Sequence, residues 1–150
     1  MSLDVYLNDS GATHRRKDRI FIREGGHTRE VTREEWDARY PDREPCMCPA
    51  DDEPTSEVYH GNVTHNLNKM AKEAMIYECL WRPDEIGIET AGQLIAPLKD
   101  GLLLLEGDPH RFRAFNPPNG WGTYEGFVRF VHEYLDACTA YPNATVRVWR

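Results

Sequence analysis

The chain has 150 residues, of which 40% are hydrophobic and 29% charged, and its formal net charge is -7. A chain of this length buries roughly two thirds of its unfolded surface in one core, so a single domain is expected. The longest apolar run, residues 101–105, is far shorter than the ~20 residues that a membrane span needs, so no span is expected. The start, MSLDVYL, lacks a basic region followed by an apolar stretch, so we expect no secretory signal and a cytoplasmic location.

The acidity is concentrated in the middle of the chain. Residues 51–100 carry ten acidic and four basic side chains, whereas the first and last thirds are close to balanced. A broad basic surface, the usual footprint of nucleic-acid binding, is absent apart from the short segment HRRKDR at residues 14–19. Nucleic acid is therefore not expected as a partner.

Both ends of the chain have the pattern of β-strands. Residues 2–7 and 145–150 alternate apolar and polar side chains, which is typical of a strand buried on one face. We expect the two ends to pair in one sheet. Between them, residues 19–32 predict a hairpin, because Gly25 and Gly26 can supply the positive φ angles of a tight turn.

A short helix and a loop follow the hairpin. Thr32 and Glu35 have the spacing of a capping box, and Pro41 predicts the end of that helix. The proline-rich and acidic residues 41–56 predict a long loop. The segment after this loop returns to β character, with Gly61 as an expected bulge or bend.

Helical periodicity begins at Thr64. Apolar side chains recur every three to four residues to about Leu80, which predicts one amphipathic helix. A second helix is predicted from Thr90, which forms a capping box with Gln93. Pro97 lies inside this second pattern and should kink or split the helix.

Two further helices complete the helical region. Asp108 followed by Pro109 predicts a capped short helix that ends before Asn116. Thr123 caps a last helix, and Pro142 ends it. The whole pattern predicts an α+β fold in which a small antiparallel sheet, with both termini as strands, packs against about four helices.

The four cysteines are expected to be free thiols in a cytoplasmic protein. Cys79 and Cys138 lie in helical patterns and should pack as small apolar groups. Cys46 and Cys48 form a Cys-x-Cys pair that resembles half of a metal site, but no second pair completes it. We therefore expect no bound metal ion and no cofactor.

Three short segments carry a resemblance to known proteins: NVTHNL at residues 62–67, LWRP at 80–83 and NGWG at 119–122. With these segments, the chain resembles a family of small uncharacterised phage, prophage and bacterial proteins over residues 1–8 and 57–150. The resemblance implies a phage or prophage setting and no particular mechanism. It also implies that residues 9–56 are a hairpin and loop inserted into a single domain of residues 1–150.

Polar side chains gather at two predicted helix starts, which Thr64 and Thr123 should cap. Free backbone N–H groups at a helix start suit an anion, and Trp121, between two glycines, could stack on a flat ring. If the two starts face each other, they form one pocket for a small anionic, nucleotide-like ligand. The candidate ligand-binding residues are Asn62, Thr64, His65, Asn66, Arg82, Asn119, Gly120, Trp121 and Thr123.

A purely structural interpretation competes with this one. His65 and Asn66 could simply bridge the helix start to the preceding strand, and Trp121 could fill the edge of the core. Arg82 next to Trp81 could be a structural cation–π contact.

The favoured function is a non-enzymatic binding protein, in a phage setting a counter-defence factor that holds a small phosphorylated ligand. One alternative is a factor that binds a host protein through aromatic residues such as Trp36, Tyr40 and Trp149. Another is a metal-dependent hydrolase that uses His60 and His65, although their spacing does not place both on one helix face. A homo-oligomer whose pocket lies between chains is compatible with all three functions.

Overall fold

The structure is a computed structural model that describes residues 1–11, 19–47 and 55–150. The described residues form five β-strands and six α-helices. The strands are β1 (Ser2–Asn8), β2 (Ile20–Glu24), β3 (His27–Val31), β4 (Glu57–Thr64) and β5 (Thr145–Trp149). The helices are α1 (Arg33–Arg39), α2 (Asn68–Glu73), α3 (Tyr77–Trp81), α4 (Gly92–Gly107), α5 (Pro109–Arg113) and α6 (Tyr124–Ala140), with 3₁₀ turns at His65–Leu67 and Pro83–Ile86.

The five strands form one antiparallel sheet in the order β2-β3-β4-β1-β5. β5 pairs directly with β1, so the two ends of the chain meet in the sheet as predicted. Alternate residues of β1, Leu3, Val5 and Leu7, are fully buried on the face that we call the inner face. The predicted α+β fold, with a sheet against a block of helices, is confirmed.

Two apolar cores of unequal size hold the fold together. The main core lies between the inner face and the helices, where Phe127 and Phe130 of α6 are fully buried. Burial of one such side chain contributes about 1.5–3 kcal/mol. A second, small core of Ile20, Ile22 and Val31 lies beneath α1, with Trp36 and Tyr40 packed against it. Trp36 and Tyr40, expected on an interaction surface, are thus half-buried parts of a core.

The predicted hairpin is present, and it belongs to the sheet. Gly25 and Gly26 have φ angles of 58° and 80°, which match the tight turn that their sequence predicted. β3 pairs with β4 through His27 with Val63 and Thr28 with Asn62. The described part of the expected insertion therefore includes two strands of the single sheet. The remainder of that segment, residues 12–18 and 48–54, lies outside the described residues.

Gly61 does not form the expected bulge. It pairs in register with Val5, and the irregularity of this strand pair falls between Leu7 and Asn8 instead. A Cβ atom at Gly61 would lie 3.0 Å from Cε2 of Phe130 and 2.5 Å from the hydroxyl oxygen of Tyr59. The glycine therefore lets α6 approach the sheet closely.

The helix predicted from Thr64 to Leu80 is divided into a 3₁₀ turn, α2 and α3. Met75 has a φ of 58° and ends the second segment. Ile76 then packs on α4, where a Cβ atom at Gly101 would lie only 2.3 Å from its Cγ2. The helical spacing of apolar residues continues through the break at Met75. Packing against α4 therefore overrides the helix that this spacing predicted.

The remaining helix boundaries follow local signals. α4 runs without interruption through Pro97, so the expected split is absent there. The Oε1 atom of Gln93 accepts from the Thr90 backbone nitrogen at 2.9 Å, which is half of the predicted capping box. Asp108 caps α5 by accepting from the Arg111 nitrogen at 3.1 Å. Among the described residues, no helix is both long enough and apolar enough to cross a bilayer.

Candidate functional site

The structure brings the two helix starts together at the Gly25–Gly26 turn. The carbonyl oxygen of Gly26 accepts from the Thr64 backbone nitrogen at 2.8 Å, and that of Gly25 accepts from the Thr123 nitrogen at 2.9 Å. A direct contact completes the arrangement, because Asn66 Nδ2 donates to the Trp121 carbonyl oxygen at 3.3 Å. We call this arrangement of the turn, residues 64–67 and residues 119–123 the junction.

Close packing makes the junction rigid. A Cβ atom at Gly26 would lie 2.6 Å from Cγ2 of Thr64 and 2.7 Å from Cα of Gly122. A Cβ atom at Gly122 would lie 2.9 Å from Cγ of Leu67. Thr64 itself is only 3% exposed. The surface residues of the junction are therefore held by close backbone and side-chain contacts beneath them.

Three of the backbone donors at the start of α6 are already used. Thr123 Oγ1 accepts from the Gly126 nitrogen at 3.0 Å, and Asn116 Oδ1 accepts from the Tyr124 nitrogen at 2.7 Å. The Thr123 nitrogen donates to the hairpin turn. An anion at this helix start would have to displace internal hydrogen bonds, so a phosphate at the junction would depend on side chains instead.

Trp121 is the main exposed aromatic group of the junction, with 63% of its surface exposed. Its backbone nitrogen donates to Asn119 Oδ1 at 3.0 Å, and the Gly120 nitrogen donates to the Pro117 carbonyl oxygen at 3.1 Å. The side chain is thus presented by a hydrogen-bonded loop. The interpretation of Trp121 as a plug of the core edge is wrong, because its side chain faces solvent.

His65 is fixed by a residue whose role the sequence did not indicate. Its Nδ1 accepts from Nε1 of Trp81 at 3.1 Å, and Trp81 is only 2% exposed. Indole N–H is a donor only, so Nδ1 carries no proton and the neutral ring has its proton on Nε2. This Nε2 atom is buried and has no hydrogen-bond partner among the described residues. His65 is therefore left with one unused donor.

Two of the predicted site residues lie apart from the junction. Asn62 lies on the outer face of the sheet, where it donates to Asp4 Oδ1 at 2.8 Å and accepts from Arg23 at 3.1 Å. Arg82 pairs with Glu85 at 2.5 Å after the end of α3. In the described structure their side chains serve local networks.

Lys69 is a further candidate that the sequence reasoning missed. It lies three residues after Asn66, so both residues point to the same side of the helical segment. Its side chain is exposed and has no ion-pair partner in the described ranges. A cation at this spacing from Asn66 was readable in the sequence, but only the structure shows that Asn66 contacts the loop of Trp121.

The residues considered for metal binding are separated. His60 contacts Asp4 Oδ1 at 3.0 Å and stacks on Tyr6, whereas His65 contacts Trp81. Within the described ranges, no three His, Cys, Asp or Glu side chains are grouped as metal ligands.

The described cysteines are free thiols. Cys79 and Cys138 are buried, as predicted, and burial raises the pKa of each thiol to about 12. Both thiols therefore stay protonated at neutral pH. Cys46 is exposed. The Cys-x-Cys motif of Cys46 and Cys48 is not tested, because Cys48 lies outside the described residues.

Comparison with protein-family models, curated proteins and solved structures finds no match to this chain. What the chain does is therefore inferred from its own residues.

Proposed function

We propose that the chain is a non-enzymatic binding protein whose junction holds a small, flat, phosphorylated ligand such as a nucleotide. The observation that carries this proposal is the contact between Asn66 and the Trp121 carbonyl, which joins two polar segments under one exposed aromatic ring. Stacking on an aromatic side chain contributes about 1–3 kcal/mol per base and tolerates any base.

The polar side chains around Trp121 support a ligand with oxygen acceptors. Lys69, exposed and three residues after Asn66, supplies a positive charge. Asn119 is exposed, and its Oδ1 accepts from the backbone, so its amide N–H groups remain for a ligand. Donors and a cation beside a stacking ring suit a base with an attached phosphate.

The biological setting is a separate part of the proposal. The phage or prophage setting rests on the sequence resemblance alone. In that setting we propose a counter-defence role, in which a ligand held without turnover sequesters a host signal. Binding of a host protein is the second candidate, and the exposed Trp149, at 71%, favours it. The hydrolase alternative has less support because His60 and His65 are engaged by separate partners.

The test is a thermal-shift measurement with a panel of mono-, di- and cyclic nucleotides, preceded by native mass spectrometry of the purified protein. We expect at least one phosphorylated ligand to raise the Tm, since a ligand at 100 times its Kd adds about 2.7 kcal/mol to stability. Trp121→Ala should abolish the shift and leave the unliganded Tm unchanged, because this side chain is exposed.

Trp149→Ala is the matched control, since it removes a similarly exposed tryptophan from a different surface. Lys69→Ala should weaken binding of phosphorylated ligands and leave that of the nucleoside unchanged. Equal loss in both tryptophan variants, or no shift with any nucleotide, would reject the junction as a nucleotide site.

A further inference from the structure

The outer edge of β5 is partly closed by the chain itself. The Val146 nitrogen donates to the Glu89 carbonyl oxygen at 2.9 Å, and Thr145 forms a bridge with Thr90. The segment that contains Glu89 and Thr90 therefore covers the beginning of this edge strand. This segment does not extend along β5 as far as Val148.

The register shows which backbone groups remain open. In an antiparallel pair, the N–H and C=O groups of successive residues point alternately toward the partner strand and away from it. The Val146 N–H points away from β1, toward Glu89, so the N–H and C=O of Val148 also point away from β1. No described residue pairs with them. These groups form a short open edge.

A groove lies beside this open edge. It has a volume of about 370 Å³, and its apolar lining includes Pro83, Ile88 and Val148. The acidic side chain at its rim, Asp84, is neutralised by Arg150 at 2.8 Å. The groove therefore combines apolar and charged side chains along unpaired backbone groups, as in sites that bind peptides by strand addition.

The opposite side of β5 supplies charge. Arg147 and Trp149 alternate with Val146 and Val148, so they lie on the outer face of the sheet. Arg147 is exposed, with no ion-pair partner in the described part of the chain, and Trp149 is 71% exposed. A strand added to this edge would place its outer-face side chains directly opposite these two residues.

We propose that the open edge of β5 binds an extended peptide of a partner protein by strand addition, with apolar side chains in the groove and a carboxylate opposite Arg147. The backbone groups of Val148 supply the ladder hydrogen bonds, and the groove selects every second side chain. The unpaired Arg147 makes the occupant acidic on its outer side. This surface is separate from the junction, so the inference does not depend on nucleotide binding.

The probe is a surface-displayed library of random nine-residue peptides, selected on the full chain and followed by anisotropy measurements with one selected synthetic peptide. We expect the selected peptides to alternate apolar residues with residues that include Asp or Glu. Arg147→Glu should reverse the preference to Lys or Arg, whereas Lys99→Glu, an exposed charge reversal on α4, should leave it acidic.

Val148→Pro tests the backbone. Proline removes an N–H that points away from β1, a position where sheets tolerate it, so the fold should persist by circular dichroism. We expect at least a tenfold loss of peptide affinity in this variant and none in Trp121→Ala. Should Val148→Pro fail to fold, the charge reversal at Arg147 still decides the question.

Selected peptides without alternation, or an acidic preference that survives Arg147→Glu, would overturn the proposal. A concentration-dependent dimer of the free chain that is lost on Arg147→Glu or Val148→Pro would also overturn it, because the edge would then belong to a second copy.

Discussion

Two of the places where the described chain takes positive φ angles differ in what surrounds them. At the Gly25–Gly26 turn, φ is 58° and 80°, and the turn is enclosed by both helix starts. At Met75, φ is also 58°, but the side chain is 78% exposed. The Gly25–Gly26 turn needs glycine both because a side chain would not fit and because φ is positive. At Met75 there is room for a side chain, so only the positive φ favours glycine.

This difference separates two costs that are often combined. A side chain in the left-handed region costs about 1–2 kcal/mol, because Cβ approaches the following carbonyl oxygen. A side chain forced into an occupied space adds a packing cost, typically about 1–3 kcal/mol. The Gly25–Gly26 turn should show both costs, and Met75 should show the first alone.

The largest expected effect is that of Gly26→Ala. Its Cβ atom would meet both Thr64 and Gly122 at less than 3 Å, at a φ of 80°. We expect a loss of about 3 kcal/mol or more in the free energy of unfolding, measured by urea denaturation.

Gly120→Ala is the control for the conformational cost. This glycine has a φ of 72°, but nothing lies within 4 Å of its Cβ position. A loss of about 1 kcal/mol is expected there. Equal losses in the Gly26 and Gly120 variants would mean that the junction is loosely packed, contrary to the distances.

The Gly25–Gly26 turn was readable from sequence, and the break at Met75 was not. Two adjacent glycines between alternating strands are a local signal for a tight turn. The break at Met75 arises because Ile76 packs on Gly101 of α4, a contact between residues far apart in the chain. The apolar pattern from Thr64 onward fits one helix equally well, so no local signal opposed that prediction.

Ion pairs also attach the hairpin to α1 and α6. Their contribution to stability can be compared with that of the close packing at the Gly25–Gly26 turn. Arg39 contacts Glu24 at 2.8 Å, and Arg129 of α6 contacts the same carboxylate at 2.8 Å. Hydrogen bonding by Arg39, with the charges of Arg39 and Arg129, lowers the pKa of Glu24 to about 2 from its ordinary value of 4.5.

Glu24→Gln should have the intermediate effect. A lowered carboxyl pKa stabilises the fold fully above about pH 4.5, and this contribution is lost as the pH falls toward 2. Because 36% of the Glu24 side chain is exposed, solvent screening limits the loss in the variant at pH 7 to about 1 kcal/mol. The difference in the free energy of unfolding between the unsubstituted chain and Glu24→Gln, measured by urea denaturation, should shrink on acidification and in 1 M salt. A difference independent of both would assign the effect to packing.

The candidate site was partly readable from sequence. Thr64 and Thr123 were recognisable as caps, and the polar segments NVTHNL and NGWG marked the two helix starts. The two helix starts meet because both contact the Gly25–Gly26 turn. The sequence predicted the turn, but no spacing in it indicated that the turn lies between the two helix starts. The contact of Trp81 with His65 and the position of Asn62 on the outer face likewise depend on tertiary packing and strand register.

The smallest expected effect, and the only gain in stability, is that of Met75→Gly. Met75 occupies the position after a helix end where glycine is usual: its nitrogen donates to Lys72 O at 3.0 Å, and the Ile76 nitrogen donates to Ala71 O at 3.0 Å. Glycine removes the left-handed strain but adds entropy to the unfolded chain, so we expect a net gain of about 0.5–1 kcal/mol by urea denaturation. Met75→Ala is the matched control, since it keeps Cβ at the same φ and should give no gain. An equal gain with alanine would show that the cost lies in the exposed methionine side chain, and the contrast with the Gly25–Gly26 turn would then not rest on φ.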